Sequence, residues 1–556
     1  MRAPSRPALC TAETCRNRIM ARLAIDFDPI RGAAYRESGY WNDETLADWL
    51  ERNARLRPAH PALRLGDALW SYRRLHAETR ALAHGLSSIG IRRGEVVAVQ
   101  LPNTPQFVLA YLAIASLGAV MQTLHMPYRV ADLEVLLRHS GAVAVVCLDA
   151  ARDYPAAATF LELRGRLPAL REIIVAGDTV PEGAHSWRAL ATADEPVDPP
   201  RLGGADPFLL LYTSGTTSSP KGVPHAYQDF LANARLSATE LALGPDDVIL
   251  SAAPFTHLYG LFTVNMALAV GATIALLPAF SPPALAEAIR MLRPTAAFTA
   301  PAHIAACLNG GLFDGLDMTC LKFVQISGSA VPPALGRALE PRLAGGKVMQ
   351  LWGMTELQAG AFTRPDDPEP VRLETTGRAS PGTELRVVDA HGVALPAGSE
   401  GELQMRGPSL FAGYLDNPQA TGDAFAEDGW FRTGDLAVID AGGNVRLTGR
   451  VKEIINRGGV KFNPLDVETL LLRHAAVAEV AVAPIPDPVL GEKACCFVVT
   501  RPGQSFTFED MRNFLAAEGV GKVRWPERLE IVAAMPLTPT RKIIKGELVR
   551  RFLAHN

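Results

Sequence analysis

The sequence predicts an α/β protein: a large, multi-lobed amino-terminal domain built on mainly parallel sheets and ending in a β-rich subdomain, followed by a small α+β domain. Three observations predict it. From Thr45 to about Ala205 helical and strand-like runs alternate, the rhythm of parallel strands joined by helical crossovers. From about Thr383 hairpins take over (ELRVVDAHGVAL, GELQMRG, LAVIDAGGNVRLTGR), with a Gly-Gly turn between alternating strands at Asp440 to Asn444, a strong hairpin signal. Beyond Arg450 a shorter run of strands and helices has the size of one small domain, about 100 residues. At 556 residues the chain is too long for one core.

Taken in order, ETLADWLERNARL reads as a helix, ALWSY as a strand, RRLHAETRALAHGLSSIG as a helix and EVVAVQL as a buried strand. Two charge-free windows follow, Val96 to Tyr128 and Leu258 to Ala286, each long enough to span a bilayer. Each breaks at a glycine, Gly118 or Gly271, before a short β-rich run and a proline, so each reads as a buried helix followed by a buried strand, with no membrane span. AVAVVCL, DVILSAAP, TIALLPAF, TAAFTAP and KFVQISG continue the strand series. After Arg450, LDVETLLLRHAAVAEVAVAPIP reads as helix then strand, ACCFVVT as a strand, FTFEDMRNFLAAEG as a helix and RLEIVAAMP as a strand. The expected division is a disordered or extended tail over 1–40, an amino-terminal domain over 41–449 and a carboxy-terminal domain over 450–556. The tail holds Arg2, Arg6, Arg16, Arg18 and Arg22 with no apolar stretch after them, which argues against a secretory signal; a start at Met20 is an alternative to Met1.

Composition narrows the function. A net charge of -3 supplies no field for nucleic acid or an anionic membrane. Seven scattered cysteines lack the paired spacings of a zinc site, and a reducing cytoplasm is expected. There are only nine lysines, none in the first 220 residues and six at or beyond Lys452. A lysine in such a chain marks either chance or a need for a compact ammonium, as in phosphate chemistry.

The most informative stretch is LYTSGTTSSPKGV, Leu211 to Val223. An apolar strand feeds a loop with hydroxyls at Thr213, Ser214, Thr216, Thr217, Ser218 and Ser219, a glycine at Gly215, and Lys221 to close it. Hydroxyl and backbone donors closed by an ammonium wrap a polyphosphate. It is not the Walker loop, because Pro220 stands in the second glycine's place and no Ser or Thr follows Lys221. A flexible serine-rich linker fits poorly after so apolar a strand. Further along, His257 in PFTHLYG reads by itself as a core histidine. The small residues of ISGSAV permit close backbone approach to a flat ligand. Trp352 in LWGMTE is either a stacking face or plain core, and Asp435 in RTGDL reads by itself as a cap or turn aspartate.

Together, in this order, these motifs resemble the superfamily of adenylate-forming enzymes that includes acyl-CoA synthetases, nonribosomal peptide adenylation domains and firefly luciferase, from about residue 41 onward. The resemblance implies that Thr213, Ser214, Gly215, Thr216, Thr217 and Lys221 hold the β- and γ-phosphates of ATP. It implies that Ser329, Ala330, Trp352, Gly353 and Met354 form the nucleotide wall, that Thr355 meets the α-phosphate, and that Glu356 holds Mg2+, a cation that takes oxygen ligands. Asp435 and Arg450 would bind the ribose, and His257 would act as a positioning gate beside the substrate carboxylate. Lys452 would be the hinge of a mobile small domain, Gly459 would line the thiol tunnel, and Lys542 would be the catalytic lysine of adenylation. Three positions depart from the pattern: Ser218 and Arg541 stand where glycine is usual, and Ala279 stands where many CoA ligases carry lysine.

The expected activity is ATP- and Mg2+-dependent activation of a compact apolar acid (alicyclic, aromatic, or short to medium fatty) and transfer to CoA. The alternative is an aryl-acid adenylating enzyme that loads a carrier protein in trans; the 14 residues after Lys542 leave no room for a fused carrier. A non-catalytic nucleotide-binding protein is disfavoured, because Lys221, Glu356, Asp435 and Lys542 are all present. A dimer is expected from base rates alone.

Overall fold

A computed structural model describes residues 23, 27–151, 154–192, 200–213, 220–457, 460–538 and 542–555. Its architecture is mixed α/β, with two large sheets, a β-rich subdomain and a small carboxy-terminal sheet. The seven-stranded sheet is centred on Val96–Gln100, which pairs in parallel with Val120–Thr123 and Ala144–Cys147. Its far edge is the antiparallel pair Pro207–Thr213 and Lys221–Ala226. The nine-stranded sheet carries Val248–Ser251, Ala296–Thr299, Phe323–Ile326 and Lys347–Met354 in parallel, then turns back through Gln358–Phe362. Such fully buried parallel strands need no polar alternation, which is why they read as continuous apolar runs.

Both charge-free windows are helix–glycine–strand units. Helix Pro105–Ser116 is followed by Gly118 at φ 65° and strand Val120–Thr123. Helix Leu258–Val270 ends on Gly271 in the left-handed region before strand Thr273–Ala275. Among the described residues no helix is long and apolar enough to cross a membrane. Helix Leu46–Leu56 begins with a capping box, Thr45 and Asp48 satisfying each other's backbone N–H groups.

Residues 384 to 450 form a four-stranded antiparallel sheet, Glu384–Val388, Glu400–Arg406, Phe431–Ile439 and Val445–Arg450. The final sheet begins at Ile455–Arg457, and Lys452 lies exposed in a single 3-10 turn, Val451–Glu453, between the two. The long hairpin Val477–Asp487 and Gly491–Thr500 dominates this last unit.

One expectation needs correcting. The predicted tail over 1–40 contains a helix, Pro29–Glu37, whose N-cap Asp28 accepts from the amides of Ile30 and Arg31. Arg31 donates to the carbonyls of Asp428 and Gly429, so contacts to a hairpin 397 residues away, invisible in local sequence, fix it. A terminal helix, Lys545–His555, also lay beyond the sequence reading. It is tied down by Lys545, which bridges Glu453 and Glu468.

Candidate active site

A cavity of about 230 Å³ opens where the two large sheets, the hairpin after Lys347–Met354 and the carboxy-terminal unit meet. Its polar end is built by a turn. Gly353 packs so closely that a Cβ there would fall 1.9 Å from the carbonyl oxygen of Gln358, so only glycine fits. The turn it permits presents Thr355 and Glu356 to the cavity.

Glu356 is 6% exposed and accepts a hydrogen bond from the Tyr414 hydroxyl at 2.8 Å. Burial raises its carboxyl above the ordinary range, against the opposing pull of that hydrogen bond. The Lys221 ammonium lies 4.6 Å from the centre of the same Tyr414 ring, a cation–π contact. Tyr414 therefore ties Lys221 to Glu356, the acid at the turn. Ser214, Gly215, Thr216 and Thr217, with Ser218, lie outside the described residues, as do Gly459 and Arg541; Thr213 lines the cavity.

Asp435 sits opposite Arg450 on adjacent antiparallel strands. Its two carboxylate oxygens accept from Arg450 Nε at 3.0 Å and from the indole Nε1 of Trp352 at 2.8 Å. Trp352 is 5% exposed, packs with Leu403 and Phe411, and is absent from the cavity lining. The indole thereby orients the Asp435 carboxylate. Ser329 and Ala330 are exposed; the residues of that segment on the cavity are Ser327 and Gly328.

Lys542 reaches the cavity from the carboxy-terminal unit. Its loop is closed by the Lys542 amide donating to Thr538 Oγ1 at 3.0 Å and the Thr538 amide donating to the Lys542 carbonyl at 2.8 Å. Burial lowers the ammonium's pKa and Arg450 adds to the effect, while Asp435 and Glu356 oppose it.

Beside this end stand two imidazoles. His257 caps the helix Leu258–Val270, accepting from the Tyr259 amide. His125, which sequence reasoning missed, stacks with it at 6.3 Å and shares a 2.8 Å hydrogen bond with Thr256 Oγ1. Nothing in LHMPY marks it, since its partner is 131 residues distant. Burial lowers His125 to about 4, and burial, His125 and Lys542 together hold His257 well below its ordinary value. Both rings are thus neutral at pH 7 and wall the site without charging it. Because burial depresses His125 from its ordinary 6.5 to about 4, its contribution to stability is complete above pH 6.5 and is lost as pH falls toward 4, at about 1.4 kcal/mol per unit of depression. Denaturant titrations at pH 7 and pH 5 are expected to show a smaller acid loss in His125→Gln than in the parent chain.

Behind the turn lies a second unforeseen group. His225 and Asp229 are both fully buried and 2.7 Å apart, and the other ring nitrogen of His225 meets the carbonyl oxygen of Thr355 at 2.9 Å. The pair anchors the turn that carries Thr355 and Glu356. His225→Leu strands a buried carboxylate and a carbonyl, and is expected to cost about 3–5 kcal/mol, read by chemical denaturation.

One carboxylate beside hydroxyl and ammonium donors fits Mg2+ held jointly with substrate phosphates, the manner this cation favours. Among the described residues no cluster of three or more His, Cys, Asp or Glu side chains forms a metal cage.

Comparison with known proteins shows the family. A family model described as "AMP-binding enzyme" matches residues 50–415, and one described as "AMP-binding enzyme C-terminal domain" matches 466–542. The chain is 32% identical to the medium-chain fatty-acid–CoA ligase of Escherichia coli, over 95% of each chain. It is 34% identical to the salicyl-AMP ligase / salicyl-S-ArCP synthetase of Mycobacterium tuberculosis, over 95% of this chain and 94% of the other. Among solved structures, the anthranilate CoA ligase AuaEII in complex with anthranoyl-AMP superposes with a TM-score of 0.84 at 27% identity, covering 92% of this chain and 98% of the other. On these grounds the chain belongs to the AMP-binding enzyme family, within the adenylate-forming superfamily.

Proposed function

We propose that this enzyme joins a compact, uncharged, mainly apolar carboxylic acid to AMP and then passes the acyl group to the thiol of CoA. The observation that carries the reading is the convergence on one cavity of Lys542, Glu356, Thr355 and Arg450, next to two neutral histidines. A carboxylate oxygen attacks the α-phosphorus of ATP, pyrophosphate leaves, and a mixed anhydride remains. The obstacle is the approach of two anions. Lys542 stabilises charge growing on the α-phosphate and carboxylate oxygens, and Thr355 donates to the same phosphate. Arg450 and Asp435 fix the ribose, and Lys221 with the preceding loop holds the β- and γ-phosphates. Mg2+, bound through Glu356, supplies further neutralisation of phosphate charge. Neutral His257 and His125 orient the acid without adding a competing cation, and His257 gates the thiol's entry. Rotation about Lys452 then withdraws Lys542 and brings the Gly459 loop to the thiol path.

The apolar end of the cavity, Leu258, Tyr259, Phe262 and Leu351, supports an acid without a second charge. The five described cysteines are all free thiols, which supports a cytoplasmic location. A second reading, loading of a carrier protein in trans, draws support from Ala279, where many CoA ligases carry lysine, and from the salicyl-S-ArCP synthetase relative.

The test is pyrophosphate release from ATP over a panel of aromatic, alicyclic and medium-chain acids. Continuous turnover only with CoA supports the ligase. A single stoichiometric burst, unchanged by CoA, favours the carrier-loading reading.

A further inference from the structure

Tyr414 stands between two groups of opposite charge. Its hydroxyl donates to Glu356 Oε1 at 2.8 Å, and the Lys221 ammonium lies over its ring, 4.6 Å from the centroid. The segment that carries it is stitched to both neighbours through the backbone. The Phe411 amide donates to the Glu356 carbonyl at 2.8 Å, and the Leu415 amide donates at 2.9 Å to the carbonyl of Gly222, the residue after Lys221. The Phe411 ring packs edge-on against the Tyr414 ring with centroids 4.8 Å apart, and the Tyr414 amide donates to Thr421 Oγ1 at 2.9 Å. Gly413 leaves room for this, since a Cβ there would fall 2.8 Å from Thr421 Cγ2. The ring is thus fixed by contacts independent of the two charges it touches.

A lysine on its long flexible stem next to a carboxylate only 6% exposed would ordinarily close on it, because a carboxylate stripped of water needs a partner. Lys221 and Glu356 do not pair with each other. The aromatic face supplies Lys221 with a weak neutral partner, and the hydroxyl supplies Glu356 with a neutral donor. Each charge is held in place without being cancelled. A direct ion pair would occupy both groups, and a polyphosphate would have to break it before Lys221 could reach an oxygen.

We propose that Tyr414 is a positioning residue that keeps Lys221 and Glu356 apart, so that the ammonium stays available to phosphate and the carboxylate to a divalent cation. This rests on the reading of Lys221 as a phosphate-binding group and adds the device that keeps it open.

The experiment measures the dissociation constant of ATP by calorimetry on the full chain, with a chelator present and no Mg2+, so that no catalysis is read. Tyr414→Leu is expected to weaken binding by about tenfold, because Lys221 then closes on Glu356; the size is that of coupling between contacting groups. Tyr414→Met is the unbranched companion. Tyr414→Phe keeps the ring between the charges and is expected to stay within about threefold of the parent. The decisive arm is a double-mutant cycle: Glu356→Gln is expected to restore affinity in the Tyr414→Leu background, raising it at least about fivefold more than in the parent background. Mere disturbance of the loop would give a loss that Glu356→Gln does not restore. The proposal is overturned if the parent binds ATP only with Mg2+, if the Leu and Met variants bind like the parent, if Phe loses as much as Leu, or if Glu356→Gln acts equally in both backgrounds. Those results leave ATP binding standing, whereas a parent chain that binds no ATP, with or without Mg2+, overturns the nucleotide reading and this one together.

Discussion

Lys542→Ala is expected to lower acid-dependent pyrophosphate release by about 10³-fold, the scale of losing one preorganised charge donor to a reacting oxyanion. Lys542 is the only lysine lining the cavity among the described residues, and it stands with Arg450, Glu356 and Thr355 around one space. Burial makes its ammonium costly, and Asp435 and Glu356 favour it; an anionic phosphate arriving there completes the compensation. The selective part of the expectation is what survives. When acyl adenylate is supplied directly, thioester formation with CoA should keep most of its rate, because that step needs no charge at the α-phosphate. Rapid-quench measurement of the two half-reactions checks this, and equal loss in both would contradict the assigned role.

Glu356→Gln is the second large effect. The carboxylate is buried, held at one oxygen by Tyr414, and placed near Lys221 through the same ring. Glutamine keeps the shape and the ability to accept from Tyr414, but removes the negative charge that would bind Mg2+ against the phosphates. Adenylation is expected to fall by about 10²-fold or more, with a raised Mg2+ requirement, given the several kcal/mol that a bound cation contributes. Titration of initial rate against Mg2+ at saturating ATP reads both. A variant with unchanged Mg2+ dependence would show that the cation is held elsewhere.

Much of this arrangement was legible because it is local. The strand feeding LYTSGTT, the glycine breaks at Gly118 and Gly271, the hairpin at Asp440 to Asn444 and the helix–strand order after Arg450 depend on neighbours within a few residues. What was not legible is long-range. Trp352 gives no sign that it will hold Asp435, 83 residues later. Tyr414 meets Glu356 across 58 residues, and His225 meets Thr355 across 130. Periodicity cannot report such pairs; only the sheet order that brings the strands together does. The N-terminal helix was missed for the same reason, since its contacts are with Asp428 and Gly429. The offset from Ser329 and Ala330 to Ser327 and Gly328 is of another kind: the chain leaves the sheet after Ile326, and the residues nearest the strand end stay on the cavity.

The most direct test of the account is detection of the acyl adenylate itself. Full-length enzyme incubated with ATP, Mg2+ and a panel of ring and medium-chain acids, without CoA, would be quenched and analysed by mass spectrometry. An enzyme-dependent acyl-AMP from at least one acid, consumed on adding CoA with matching acyl-CoA and AMP, is the predicted result. ATP cleavage to ADP and phosphate, or no adenylate from any acid, would contradict it.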